Sequence, residues 1–176
     1  LGQPSSAPVL FELASHRRPE VRVRAIEAIV SVAPKDASPV LRARLGDQDA
    51  KVRSAAALAL GELRAVDSID ALFLALDRGN HDASQALGKV LPAAQVPRLL
   101  EYLGKVPFRN MAPGLGEVLI RKDVSERDKL NLVARIQEVG TPEAKSYLGD
   151  FLRQNGDKIS QPVSRAILQA MQGIAG

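Results

Sequence analysis

The chain has no cysteine, and it has only two histidines among its 176 residues. The absence of cysteine excludes disulfides, cysteine zinc sites and thiol nucleophiles. The shortage of histidine argues against a zinc cluster built from imidazole ligands. We therefore predict a protein without a metal site and without a cofactor.

Aromatic residues are also scarce, at 3% of the chain with no tryptophan. Hydrophobic residues nevertheless make up 45% of the chain, which is enough for a packed core. The core must therefore consist mainly of alanine, leucine, valine and isoleucine. No apolar run approaches the roughly 18 residues of a membrane helix, so we expect a soluble chain without a membrane span.

The positive and negative charges of the chain are nearly balanced. Lysine and arginine number 24 against 20 acidic residues, which leaves +4. This balance is too even for a dedicated nucleic-acid arm, so nucleic acid is disfavoured as a partner. The start at Leu1 lacks a signal peptide and suggests a processed end or a missing upstream segment. We expect a cytoplasmic location, or a periplasmic one if an upstream segment carries a signal.

The chain repeats itself at an interval of about 31 residues. The motif Pro-Val-Leu at residues 8–10 recurs at residues 39–41, and Val-Arg at residues 21–22 recurs at residues 52–53. Periods of this length are typical of stacked supersecondary units that cannot bury their apolar faces alone. Alanine-rich helices let such units approach closely, which accounts for the scarcity of aromatic residues.

Each repeat unit has the pattern of two helices. Pro19 suits the first position of a helix, and Ser38 and Ser125 suit N-cap positions. The apolar spacing predicts ten or eleven helices and no strand, with the last helix reaching about Ala175. Pro113 is expected to break or kink the second helix of the fourth unit.

The segment 47–63, DQDAKVRSAAALALGEL, closely resembles a HEAT repeat, especially the short bacterial variety also found in phycobilisome-lyase-like proteins. It has the Asp-rich turn, the Val-Arg pair, alanines at helical spacing and the Ala-Leu-Gly ending of that pattern. The resemblance implies an all-α, right-handed α-solenoid of about five helical hairpins. We expect one array over residues 1–176, with clear repeats over 8–122 and degenerate helices over 125–175.

The resemblance also implies a structural role for the recurrent arginines Arg22 and Arg53. They would bond aspartate carboxylates and turn carbonyls between neighbouring units, with Asp47 or Asp49 as partner. The alternative is a recurrent anion-binding ladder.

In such arrays the second helices line a concave wall, and here that wall mixes charged with small residues. This mixture suits recognition of a protein or peptide. The irregular stretch 104–114 is either a kinked junction or a binding lip. The predicted partner-binding residues are Arg24, Glu27, Ser31, Lys51, Glu62, Gln85, Lys89, Phe108 and Arg109.

The functional hypothesis is a non-catalytic protein-interaction scaffold, not an enzyme, without catalytic residues. The alternatives are a nucleic-acid-binding array, suggested by the arginine cluster at 17–24, and a bilin-lyase-like enzyme subunit. A family branch resembling deoxyhypusine hydroxylase carries iron on repeated His-Glu pairs. Here the corresponding pairs are His16-Arg17 and His81-Asp82, so we expect no such iron site. The identity of the partner and the oligomeric state stay open.

Overall fold

The computed structural model describes residues 7–174, and these residues are predominantly helical. Eleven α-helices and three short 3-10 helices lie within that range, which contains an isolated β-bridge but no strand. The prediction of an all-α fold is confirmed. The α-helices are α1 (Ala7–Leu13), α2 (Pro19–Val32), α3 (Ala37–Arg44), α4 (Ala50–Glu62), α5 (Ile69–Asp77), α6 (Asp82–Val90), α7 (Val96–Leu100), α8 (Phe108–Ile120), α9 (Glu126–Val139), α10 (Pro142–Asn155) and α11 (Gln161–Gly173).

Several helix ends follow from local side-chain chemistry. The Asp49 carboxylate accepts the backbone N–H groups of Lys51 and Val52 and so caps α4. Ser125 caps α9 as predicted, and Gly140 ends that helix in the left-handed region at φ 69°. These helix boundaries are therefore encoded within a few residues of each end.

Helices α3 and α8 depart from the sequence-based predictions, and the predicted end of α11 lies outside the described residues. Helix α3 begins at Ala37 after Asp36, so the assignment of Ser38 as its N-cap is wrong. Helix α8 runs without interruption through Pro113, so the proline does not break it. Its buried apolar residues keep this helix packed although the proline cannot donate a backbone hydrogen bond. The last helix ends at Gly173, and Ala175 lies outside the described residues.

Residue contacts divide the chain into two compact units, one up to Val90 and one from Leu91 onward. In the first unit, α1 pairs with α2, α3 with α4 and α5 with α6. The second helices α2, α4 and α6 pack side by side, as in an α-solenoid. A Cβ atom placed on Gly61 of α4 would lie 2.8 Å from the Cα atom of Ala86 in α6. The glycine of the Ala-Leu-Gly motif therefore permits a backbone-to-backbone contact.

In the second unit, α8 packs against α10 and α9 packs against α11. Aromatic rings occupy the space between α8 and α10. The Tyr147 ring meets Phe108 edge-on, with ring centroids 5.4 Å apart, and lies 6.0 Å from the ring of Phe151. Met111 and Leu115 of α8 are fully buried. Three aromatic side chains thus supply the volume that fills the space between α8 and α10.

Candidate functional site

An open groove of about 730 Å³ lies along the second helices of the first unit. We call it the α2–α4 groove. Both of these helices line it, and Asp82 at the start of α6 closes one side. Its lining residues are Ile26, Glu27, Val30, Ala50, Lys51, Ser54, Ala55, Leu58, Ala59, Glu62 and Asp82.

The groove exists because α4 presents small side chains between larger neighbours. Ile26 and Ala59 are buried, at 1% and 3% exposure, and form part of the wall. Val30, Ala55 and Leu58 are half-buried, so apolar surface remains accessible to a ligand. An accessible apolar groove of this size is the kind of surface that binds an apolar segment of another molecule.

Charged side chains form the rim of the α2–α4 groove. Glu27, Glu62 and Asp82 contribute carboxylates, whereas Lys51 contributes the one ammonium group among the lining residues. Glu62 forms an ion pair with Lys89 of α6. Asp82 accepts a hydrogen bond of 2.6 Å from the Ser54 hydroxyl. The rim is therefore mildly acidic on a chain whose net charge is +4.

The groove brings together three of the nine residues predicted to bind a partner, namely Glu27, Lys51 and Glu62. Lys89 adjoins them through its ion pair with Glu62. The remaining second-helix residues of the first unit, Arg24, Ser31 and Gln85, do not line the groove. Sequence reasoning did not single out the apolar wall residues Val30 and Leu58 or the rim residue Asp82.

Phe108 and Arg109 lie on α8 of the second unit. Arg109 is exposed, whereas Phe108 is buried at 6% exposure against Tyr147. Both residues border a recess of about 430 Å³ between α8 and α10. The Tyr147 hydroxyl donates a hydrogen bond of 3.0 Å to the carbonyl of Ala112. Burial raises the pKa of this tyrosine, and the charge of Glu117 adds to the effect.

Arg22 links the first two hairpins. Its Nη2 atom lies 2.6 Å from the Oδ1 atom of Asp47, and Nη1 donates to the His16 carbonyl at 2.8 Å. The two side chains are only 12% and 7% exposed. Burial raises the pKa of Asp47, but the hydrogen bonds from Arg22 and the Asp49 N–H and the charges of Arg22 and Arg44 outweigh it. The pKa of Asp47 is therefore lowered below its ordinary value.

Arg53 repeats part of this geometry one hairpin later. Its Nη1 atom donates to the carbonyls of Asp47 and Gln48 at 2.8 and 2.9 Å. The Asp49 carboxylate caps α4 and has no bond to the side chain of either arginine within the described residues. In the third hairpin Asn80, which sequence reasoning missed, donates to the Arg53 carbonyl at 2.9 Å. The structural role of the ladder stays a prediction, which substitution of Arg22 tests below.

The two histidines do not fit the iron site that the hydroxylase resemblance implies. The Nδ1 atom of His16 accepts the backbone N–H of Arg18 at 3.1 Å, and an arginine follows it in sequence. Within residues 7–174 we find no group of three or more His, Cys, Asp or Glu side chains that could hold a metal ion. In the same range, every helix is too short or too polar to cross a membrane.

Comparison with known proteins gives two results. A family model described as HEAT repeats matches residues 7–91, almost the whole of the first unit. A deoxyhypusine hydroxylase from Eremothecium gossypii is 44% identical over 62 residues, which is 34% of this chain. The chain spans only 19% of the length of that relative. The prediction that the chain is not an enzyme is wrong in light of this similarity to an enzyme.

Proposed function

Because residues 7–91 belong to the HEAT-repeat family, we propose that this part of the chain is a helical-repeat scaffold that binds a partner protein or peptide in the α2–α4 groove. Stacked helical repeats present extended side-chain surfaces that bind other proteins. The observation that carries the proposal is the accessible apolar wall of the groove between charged rims.

The chemistry of the groove favours a partner segment with apolar anchors and flanking cations. Val30, Ala55 and Leu58 offer apolar surface to the anchors. Because Glu62 already pairs with Lys89, the exposed carboxylate of Glu27 is the rim acid best placed to meet a cation of the partner. An amphipathic helix with lysines beside its apolar stripe has this chemistry.

A pair of synthetic helical peptides tests the proposal. One peptide carries leucines along one face with flanking lysines, and its twin carries glutamates in place of the lysines. We expect the lysine peptide to bind more tightly in a fluorescence anisotropy titration. Glu27→Lys should reduce this preference, and Ala55→Arg should block binding by filling the groove.

Arg24→Ala is the matched control, because Arg24 is an exposed residue of α2 outside the groove lining. It should leave both affinities unchanged. Equal binding of the lysine peptide by the Ala55→Arg variant and the unchanged chain would show that the groove is not the binding site.

A second candidate function is hydroxylation, which rests on the 62 residues similar to deoxyhypusine hydroxylase and not on a metal-ligand group, since residues 7–174 contain none. The test incubates the purified chain with a protein that bears deoxyhypusine in aerated buffer containing iron(II) and an added reductant. One atom of dioxygen would enter the substrate, and the other would leave as water with two electrons from the reductant. Mass spectrometry should then detect the gain of one oxygen atom. An unchanged substrate mass would contradict this second candidate and leave the binding proposal standing.

A further inference from the structure

A polar recess of about 320 Å³ lies where the first two hairpins meet. We call it the inter-repeat recess, and it is separate from the α2–α4 groove because the two share no lining residue. The turns before α2 and α4, the end of α3 and Arg22 of α2 line it. Its lining residues are Ser15, His16, Arg17, Arg22, Ala43, Arg44, Gly46, Asp47 and Gln48.

Positive charge exceeds negative charge in this recess. It contains three arginines against the single carboxylate of Asp47. That carboxylate is already engaged, because it pairs with Arg22 and accepts the Asp49 N–H at 2.9 Å. Arg44 donates to the Ala14 carbonyl at 3.2 Å and forms no ion pair within residues 7–174. The recess therefore lacks a second anion to balance its guanidinium groups.

Two hydrogen-bond donors in the recess have no acceptor. The Nε atoms of Arg22 and Arg44 are buried and make no hydrogen bond within the described part of the chain. A buried donor without a partner destabilises the folded chain, and the penalty is larger when the donor belongs to a charged group. Buried polar groups of native proteins nearly always have a partner, including an ion or a water molecule. Both donors belong to arginines that line this one recess, so an acceptor bound there would lie beside both guanidinium groups.

The other polar side chains of the recess also offer donors. Because the Nδ1 atom of His16 accepts the Arg18 N–H, the neutral imidazole carries its proton on Nε2. Arg17 is exposed at the mouth, and Gln48 supplies an amide group. A recess lined by guanidinium, imidazole and amide N–H groups suits an oxyanion rather than a cation.

We propose that the inter-repeat recess binds an oxyanion of the phosphate or carboxylate class. The oxyanion balances the charge of Arg44 and accepts N–H groups from the guanidiniums, which bind such oxygens as rigid forks. It is either a free ion or a group carried by a larger molecule. Since this site shares no residue with the α2–α4 groove, failure of either proposal leaves the other intact.

Nuclear magnetic resonance of the arginine side chains tests the proposal directly. Inorganic phosphate is titrated into the full chain, with chloride keeping the ionic strength constant. We expect saturable shifts of the Nε–H signals of Arg22 and Arg44. Arg44→Gln should weaken phosphate binding roughly tenfold or more, as expected for loss of a charge-assisted hydrogen bond. Absence of a saturable shift in the unchanged chain would overturn the proposal.

Two further variants distinguish a loss of phosphate binding from a loss of folding. Arg17→Gln alters an exposed side chain, so it should weaken phosphate binding without unfolding the chain. Arg42→Gln changes a neighbouring arginine of α3 that pairs with Asp67, outside the recess. It should leave phosphate binding unchanged. Equal affinity of the Arg17→Gln variant, the Arg44→Gln variant and the unchanged chain would also overturn the proposal.

A short phosphorylated peptide and its unphosphorylated twin identify the source of the oxyanion. Tighter binding of the phosphopeptide than of inorganic phosphate assigns the oxyanion to a larger molecule. Equal binding of the phosphopeptide and of inorganic phosphate assigns the oxyanion to a free ion. In either case Arg44→Gln must weaken binding, and phosphopeptide binding that this variant leaves unchanged contradicts the assignment to the recess.

Discussion

Neighbouring helices pack side by side in both compact units, but with different side chains between them. In the first unit Gly61 permits α4 to meet the backbone of α6 at Ala86. In the second unit a Cβ atom on Gly116 of α8 would lie 3.0 Å from the Tyr147 hydroxyl of α10, so a side chain separates the helices. The space between two neighbouring helices can therefore be filled either by small residues or by aromatic rings. The family match stops at residue 91, close to where this packing changes.

The ion pairs of the two units differ as well. Arg22 and Asp47 join different hairpins and are largely buried. In the second unit, Arg153 pairs with Asp150 one turn earlier in the same helix, and both are exposed. Exposed pairs within one helix contribute little to stability, whereas removing one partner of a buried pair leaves an uncompensated charge. We therefore expect the loss of a single charged partner to destabilise the first unit more than the second.

Among the variants that compare the two units, Arg22→Ala should lower the free energy of unfolding most. It leaves the buried Asp47 carboxylate without its partner, and we expect a loss of about 3 kcal/mol in the free energy of unfolding. Urea denaturation followed by circular dichroism measures the loss. Arg153→Ala is the control in the second unit and should leave stability unchanged within error, because its ion pair is exposed. Equal losses of unfolding free energy for the two variants would show that the buried ion pair matters no more for stability than the exposed one.

Gly61→Ala should have the second largest effect, about 2 kcal/mol of destabilisation from overpacking. The added methyl group would meet the backbone of Ala86, which cannot move without shifting α6. Gly116→Ala should cost less, because the Tyr147 side chain can tilt and alanine favours a helix. Thermal unfolding of both variants compares them. A larger cost at Gly116 than at Gly61 would contradict the packing difference.

Tyr147→Phe should destabilise the second unit by about 1 kcal/mol. The variant keeps the ring between Phe108 and Phe151 but loses the hydrogen bond to the Ala112 carbonyl. Hydrogen exchange of α8 and α10 should become faster, while exchange of α4 and α6 should not change. Faster exchange in both units would show that the effect is not confined to the aromatic contact.

Protonation of Asp47 at acidic pH should have the smallest effect on the stability of the fold. Because the pKa of Asp47 is lower in the folded chain than its ordinary value of 3.8, the carboxylate stabilises the fold above that pH. The contribution disappears as the pH falls through the lowered folded-state pKa. Asp47→Asn should remove this part of the stability loss between neutral and strongly acidic pH. An identical acid dependence in the variant and the unchanged chain would assign the loss to other carboxyl groups.

Much of the first unit could be predicted because its signals are local. The 31-residue period and the alanines of α4 indicate stacked hairpins without knowledge of any distant contact. The cap of α3 was misassigned because Ser38-Pro39 has the local pattern of a helix start, although the helix begins at Ala37. Local pattern alone does not decide between neighbouring cap positions.

The candidate groove was predictable only along its rim. Helical phase places Glu27 and Lys51 on the outer face of the second helices, as the structure does. The exposure of Val30 and Leu58 depends on how far α2 stands from α4, which is a tertiary property without a local signal. Likewise, no spacing rule places Tyr147 against Phe108, since 39 residues separate them in sequence. Long-range contacts of this kind can be identified only when the fold is known.

The recurrent arginine has a consequence for the modularity of the first unit. Arg22 and Arg53 each bond the carbonyls five and six residues earlier, and so brace a turn of their own hairpin. Only the carboxylate that Arg22 pairs with belongs to the following hairpin. The position 31 residues after Asp47 is occupied by Arg78. Each arginine therefore stabilises the turn of its own hairpin. A designer who lengthens the array by copying the second hairpin would also copy Asp47, the carboxylate that pairs with the arginine of the preceding hairpin.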